Sequence, residues 1–126
     1  MNLIDSSAWL EYFADGPNAH FFAPAIEDTD ALVVPAISIY EVFKRMLLQR
    51  GEGDALRAVA AMMEGQTVGL DEQLALDAAK VSVDLGLPMA DSMMLATARA
   101  HNATLWTQDA DLKGIEGVEY AIRQTE

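Results

Sequence analysis

Four carboxylates in this chain are spaced so that they can converge: Asp5, Glu41, Asp91 and Asp109. Each falls where a short apolar run ends or where a helical pattern begins. In a parallel α/β sheet the strand carboxyl ends and the following helix amino ends share one edge, and ligands of open α/β folds bind there. Four acids gathered at that edge repel one another and resist ionising together. A divalent cation removes the conflict, and hard cations such as Mg²⁺ and Mn²⁺ prefer oxygen donors. The chemistry such a centre performs is metal-assisted hydrolysis of a phosphodiester. No covalent nucleophile is required. Neither histidine is well placed: His20 lies beside a loop and His101 at a helix end, and both read as structural.

Taken singly, each acid has an ordinary explanation. Asp5 can cap the helix that starts at Ser6. Glu41 can pair with Arg45 one helical turn on. Asp91 suits the first turn of a helix, where the dipole favours negative charge. Asp109 is a common turn residue. Jointly these explanations require four unrelated coincidences at one edge of one sheet.

The elements that must position them follow from the pattern of apolar runs and breakers. Residues 2–5 read as a short buried strand, and Ser6 and Ser7 as N-cap types for a helix continuing to Phe13. Asp15-Gly16-Pro17-Asn18 is a turn, followed by a helical stretch over 19–28 that Pro24 weakens or restarts. Residues 32–35 form a second buried strand, 36–50 a long helix ending at Gly51, and 54–64 a helix closed by Gly65. A short strand over 67–70 precedes a helix over 71–85 stopped at Gly86. Pro88 opens a helix to about His101 with Asn102 as its cap, and strands over 103–107 and 118–122 complete the chain. Strands alternating with helices through short loops predict an α/β fold: one parallel sheet flanked by helices, a single domain over 1–126.

The 126 residues suffice for one real core, and 52% apolar content excludes a disordered segment. The chain lacks cysteine, which rules out disulfides and thiolate zinc sites and suits a reducing cytoplasm. The N-terminus has no signal-peptide pattern, and no apolar run is long enough to cross a bilayer. A net charge of −12 predicts weak intrinsic RNA affinity unless metal neutralises the site, and attraction to a basic partner. Lys44, Arg45 and Arg50 form the densest basic group; they can meet phosphates or form a solvated helix face. Met46, Leu47, Leu48, Met62 and Met63 read first as core packing on two successive helices, and second as a groove for a partner helix.

Four blocks carry a resemblance that spans essentially the whole chain: Leu3-Ile4-Asp5-Ser6-Ser7-Ala8-Trp9, Val34-Pro35-Ala36-Ile37-Ser38-Ile39-Tyr40-Glu41-Val42, Leu87-Pro88-Met89-Ala90-Asp91-Ser92-Met93-Met94-Leu95-Ala96-Thr97-Ala98 and Leu105-Trp106-Thr107-Gln108-Asp109-Ala110-Asp111-Leu112. In order and spacing they resemble the PIN-domain family of metal-dependent ribonucleases, and within it the VapC-type toxins of bacterial toxin–antitoxin pairs. The resemblance implies a PIN-like three-layer sandwich, with Asp5, Glu41, Asp91 and Asp109 as catalytic, metal-binding acids and Ser6 or Thr107 as a hydrogen-bonding helper. It implies Mg²⁺ or Mn²⁺ as cofactor, single-stranded regions of RNA as substrate, a small antitoxin that blocks the site, and a homodimer. Asp111, two residues beyond Asp109, is an accessory that caps a turn or meets metal only through water.

Other acidic α/β proteins fit less well. An adhesion-type metal module wants Asp-x-Ser-x-Ser after its first strand, and Trp9 stands where the second serine belongs. A phosphotransfer receiver needs an Asp after its central strand and a late Lys, both missing here. A catalytically silent PIN-like domain that serves as a protein- or RNA-binding module is the alternative function, and the presence of all four acids speaks against it.

Overall fold

A computed structural model describes residues 1–124. The elements run β1 (Asn2–Ile4), α1 (Ser6–Phe13), α2 (Ala19–Glu27), β2 (Leu32–Pro35), α3 (Ala36–Arg50), α4 (Glu52–Met62), β3 (Gln66–Val68), α5 (Glu72–Leu85), α6 (Met89–Ala100), β4 (Thr104–Thr107) and β5 (Val118–Tyr120). Two 3₁₀ turns, Thr29–Ala31 and Ala110–Leu112, precede β2 and follow β4. The five strands pair in parallel in the order β3-β2-β1-β4-β5. This is the parallel, helix-flanked sheet that the sequence predicts.

The sheet is buried on both faces because successive strand residues point to opposite sides. Ile4, Leu32 and Val34 join one core with Trp9, Phe22, Val42, Met46 and Met62, so α1 to α4 cover that face. Leu3 and Leu105 join the other core with Leu87, Met94, Leu95 and Ala98, so α6 covers the opposite face. Helix α5 packs on α6 and buries little of itself beyond Ala78. Inside the molecule, Ser38 Oγ donates to Met94 Sδ at 3.1 Å, docking α3 against α6 one turn from Glu41 and one turn from Asp91.

Local boundaries differ from the sequence reading for physical reasons. Pro24 sits inside α2 rather than starting or breaking it. It lies beyond the first turn, so its missing N–H costs the helix one i→i−4 bond, to the His20 carbonyl. Helix α4 begins at Glu52, because Gly51 (φ 90°) turns the chain, and Glu52 and Asp54 in the first turn suit the helix dipole. Strand β3 covers 66–68 and stops before Gly69, since Pro35 is the last β2 residue it can pair with. Gly86 takes the left-handed conformation (φ 68°) at the end of α5, and Asn102 (φ 51°) follows α6 as one of the few side chains that tolerate it. Gly65 is needed for space, since a Cβ there would lie 2.9 Å from the Leu32 carbonyl oxygen.

Candidate metal centre

The strand order places a switch point between β1 and β4. From β1 the chain moves outward through β2 and β3; from β4 it moves the other way to β5. Connections that diverge in this manner open a crevice at the strand carboxyl ends. Asp5 follows β1 and Asp109 follows β4, so both carboxylates flank that crevice. The register Leu3↔Leu105 and Ile4↔Trp106 sets Asp5 opposite Thr107, and the Asp5 N–H donates to the Trp106 carbonyl at 2.9 Å. Asp91 enters from the first turn of α6. One carboxylate oxygen from each of Asp5, Asp91 and Asp109 lies within 4.8 Å of the others.

Hydroxyls hold this group in place. Thr107 Oγ1 donates to Asp5 Oδ2 at 2.8 Å, and Ser7 Oγ donates to the same oxygen at 2.9 Å. The Asp109 N–H in turn donates to Thr107 Oγ1 at 2.9 Å. Thr107 is fully buried and joins the two strand-end acids through a single oxygen. Ser6 Oγ donates to Glu41 Oε1 at 2.6 Å. Bonds from hydroxyl to carboxylate are charge-assisted and outcompete ordinary capping. That is why Asp5 occupies the N-cap of α1 without a side-chain capping bond, and why Ser6 and Ser7, expected as caps, turn to carboxylates instead.

The electrostatics are those of like charges without a counter-charge. Burial pushes the Asp5 carboxyl above its usual range, and the nearby Asp109 charge adds to this; hydrogen bonds from Thr107 and Ser7 and a backbone bond from Ser6 oppose it. Asp91 is pushed up to about 8, first by burial, then by a hydrogen bond it shares with Asp109 and by the charges of Asp5, Asp109 and Asp111. Both shifts favour the neutral acid, and a cation at the same place reverses them.

Three of the four predicted acids therefore converge. Glu41 is the departure: it stands half-buried on the α3 wall of the same cleft, outside the close trio, with Ser6 holding its carboxylate. Its ordinary explanation, a pair with Arg45, is not among the ion pairs of the described residues. Asp111 is exposed; its N–H donates to Asp109 Oδ1 at 2.9 Å within the 3₁₀ turn. Neither His20 nor His101 lines the cleft. Of the methionine and leucine group, Met46 and Met62 are core residues, whereas Leu47, Leu48 and Met63 are exposed, because the helix turns them off the buried stripe. Lys44 and Arg45 line the cleft, and Arg50 lines a separate shallow depression with Asp54 and Arg57.

Sequence reasoning missed two features. Ser7 is a direct partner of Asp5, and its position two residues after that acid was the available signal. The second is a buried amide network. Asn18 Nδ2 donates to Gln108 Oε1 at 3.0 Å and to the Ile122 carbonyl at 2.9 Å, and Gln124 Nε2 donates to Asn18 Oδ1 at 3.0 Å. It ties the segment after β5 to the α1–α2 turn, over separations that leave no local trace in sequence.

The donor set is all oxygen and all carboxylate, with a proton load that a divalent ion displaces, so these residues fit a hard cation. A family model for the PIN domain matches residues 3–118. The chain belongs to the PIN-domain family. Solved structures with the same fold include a toxin–antitoxin complex from Klebsiella pneumoniae, at 22% identity over 94% of this chain and 96% of that one, with a TM-score of 0.80. They also include VapBC2 from Rickettsia felis bound to a promoter DNA fragment, at 12% identity over 94% and 97%, with a TM-score of 0.74. A third is VapC20 of Mycobacterium tuberculosis, a sarcin–ricin loop cleaving toxin, at 14% identity over 90% and 92%, with a TM-score of 0.69. No curated protein sequence matches the chain at a significant level. Among the described residues, no helix is long and apolar enough to cross a membrane.

Proposed function

We propose that the chain acts as one PIN domain, an endoribonuclease dependent on Mg²⁺ or Mn²⁺ that cleaves single-stranded regions of RNA, and that it is the toxin of a toxin–antitoxin pair. The observation that carries the reading is the trio of carboxylates at the switch point, in a chain of the PIN family. Asp5, Asp91 and Asp109 are the residues that hold the cation, with Glu41 as a fourth acid on the cleft wall. A divalent ion there supplies Lewis-acid activation of water and neutralises charge on the phosphate. Thr107 and Ser7 fix the rotation of Asp5, so its oxygen is preorganised before substrate arrives. Ser6 does the same for Glu41. Asp91, whose carboxyl is pushed up to about 8, would give up its proton to a cation held there.

The antitoxin is a small basic protein that covers the acidic cleft, and the toxin works in the cytoplasm as a homodimer. Support for the basic antitoxin comes from the net charge of −12 and from toxin–antitoxin complexes among proteins of this fold. The protein purified free of partner is expected to cut single-stranded RNA with Mg²⁺ or Mn²⁺ and to stop with chelator. Cleavage that persists in excess chelator contradicts the reading. Isolation from the native host without denaturant is expected to bring down a small basic protein in fixed ratio, and isolation of the chain alone would count against the toxin assignment.

A further inference from the structure

The α3 wall of the cleft carries a second pattern. Tyr40, Lys44 and Leu48 form one i, i+4 row along the helix, and Glu41, Arg45 and Gln49 form the next; all six line the cleft of about 680 Å³ above the acidic floor. The two rows extend over about 12 Å of helix at 1.5 Å per residue, longer than a single phosphate group needs.

Tyr40 is unusual within this protein. The chain has nine aromatic residues, all of them described, and Tyr40 alone among them is exposed, at 60%. The other exposed large apolar residues away from α3 and α4, such as Leu76 and Val83 on α5, do not line the cleft. The Lys44 ammonium lies over the Tyr40 ring, 5.7 Å from its centroid, so the exposed ring and a cation are presented together. Charge points the same way. Although the chain is strongly acidic, three of its eight Lys and Arg residues, Lys44, Arg45 and Arg123, line this cleft. None of the three takes part in an ion pair among the described residues. Arg123 lines the cleft from the segment that Asn18 grips on both sides, at Ile122 and at Gln124.

An aromatic platform beside unpaired cations is what a single strand of nucleic acid requires: bases stack on the ring, and the backbone follows the charge. We infer that the α3 wall is a nucleotide-binding subsite, in which Tyr40 stacks a base of single-stranded RNA adjacent to the scissile phosphate while Lys44 and Arg45 hold flanking phosphates. The inference rests on the proposed nuclease activity and adds to it the residues that select an unpaired strand. A base inside a duplex is already stacked on both faces and has none to offer Tyr40, so the subsite disfavours paired RNA. Tyr40 lines the same cleft as Asp5, Asp91 and Asp109, so a base stacked on it lies in the cleft of the acidic centre.

The test is steady-state cleavage of a short single-stranded oligoribonucleotide in Mn²⁺ by the wild type, Tyr40→Ala and Tyr40→Phe. Tyr40→Ala is expected to raise KM about tenfold, with kcat within about twofold, and Tyr40→Phe to restore the wild-type KM. An oligonucleotide made abasic beside the cleavage point is expected to impose the same loss on the wild type and no further loss on Tyr40→Ala. Lys44→Ala combined with Arg45→Ala is expected to flatten the fall of RNA affinity with salt. A wild type that cleaves while Tyr40→Ala keeps its KM overturns the subsite and leaves the nuclease reading standing. A wild type that cuts no single-stranded RNA overturns both. Unchanged RNA kinetics together with loss of a copurifying protein in Tyr40→Ala would reassign this wall to a protein partner and overturn the inference.

Discussion

Asp91→Asn is expected to lower RNA cleavage by about a thousandfold while raising the melting temperature of the metal-free protein at neutral pH. The two effects have one cause. Asp91 is buried, hydrogen-bonded to Asp109 and surrounded by the charges of Asp5, Asp109 and Asp111. Its carboxyl titrates near 8 in the folded protein against an ordinary 3.8. Between those values the folded state binds a proton that the unfolded state releases, so metal-free stability falls as pH rises from about 4 to about 8 and levels off above. Asparagine mimics the protonated acid: it keeps the size, donates to Asp109 and carries no charge. Its contribution is then independent of pH. We expect the variant to melt about 5 °C or more above the wild type near pH 8 without metal, with the gap closing toward pH 4. The catalytic loss follows because an amide is a poorer ligand than a carboxylate and leaves the centre short of negative charge; loss of one well-placed electrostatic group costs about a hundred- to a thousandfold. Thermal melts across pH together with cleavage rates decide it. A variant that melts lower than the wild type at every pH would make Asp91 a helix-start residue and nothing more.

Asp109 and Asp111 are expected to be unequal, although only two residues separate them. Asp109 comes directly off β4, belongs to the trio, and has its backbone N–H fixed on Thr107 Oγ1. Asp111 lies in the following 3₁₀ turn, exposed, and touches Asp109 only through its N–H. Asp109→Asn should lose cleavage about a thousandfold, and Asp111→Asn should keep at least about a tenth of it, acting only through long-range charge. Rates at several Mn²⁺ concentrations separate the two: extra metal rescues Asp111→Asn and not Asp109→Asn. The reverse ranking would mean that the second acid of the turn, and not the first, faces the metal.

Much of this centre was legible in the sequence because strand ends are. Short apolar runs ending in Asp5 and in Thr107-Gln108-Asp109 give both the sheet and its acidic edge, and Pro88 before Asp91 gives the third acid its helix turn. Glu41 shows the limit. Its place in the second turn of α3 is visible in sequence, but its distance from the trio depends on how α3 packs on α6 through Ser38 and Met94. The Asn18–Gln108–Gln124 network and the exposure of Leu48 and Met63 were likewise illegible. Each is decided by partners far away in the chain, and no local spacing encodes them. The basic residues are instructive in the same way. Lys44, Arg45 and Arg50 look alike in sequence, yet 3.6 residues per turn send the first two to the cleft and the third elsewhere.

The proposed nuclease depends on a divalent cation held by Asp5, Asp91 and Asp109. Calorimetric titration of Mn²⁺ into partner-free protein at pH 8, comparing the wild type with Asp5→Asn, tests it without any substrate. Asp5→Asn retains an oxygen for the Thr107 and Ser7 hydroxyls, so the fold is expected to persist. Saturable binding by the wild type is expected, weakening as pH falls because protons compete for Asp91, with a loss of affinity of about a hundredfold or more in the variant. Equal Mn²⁺ affinity in the two proteins, or affinity indifferent to pH, would contradict it.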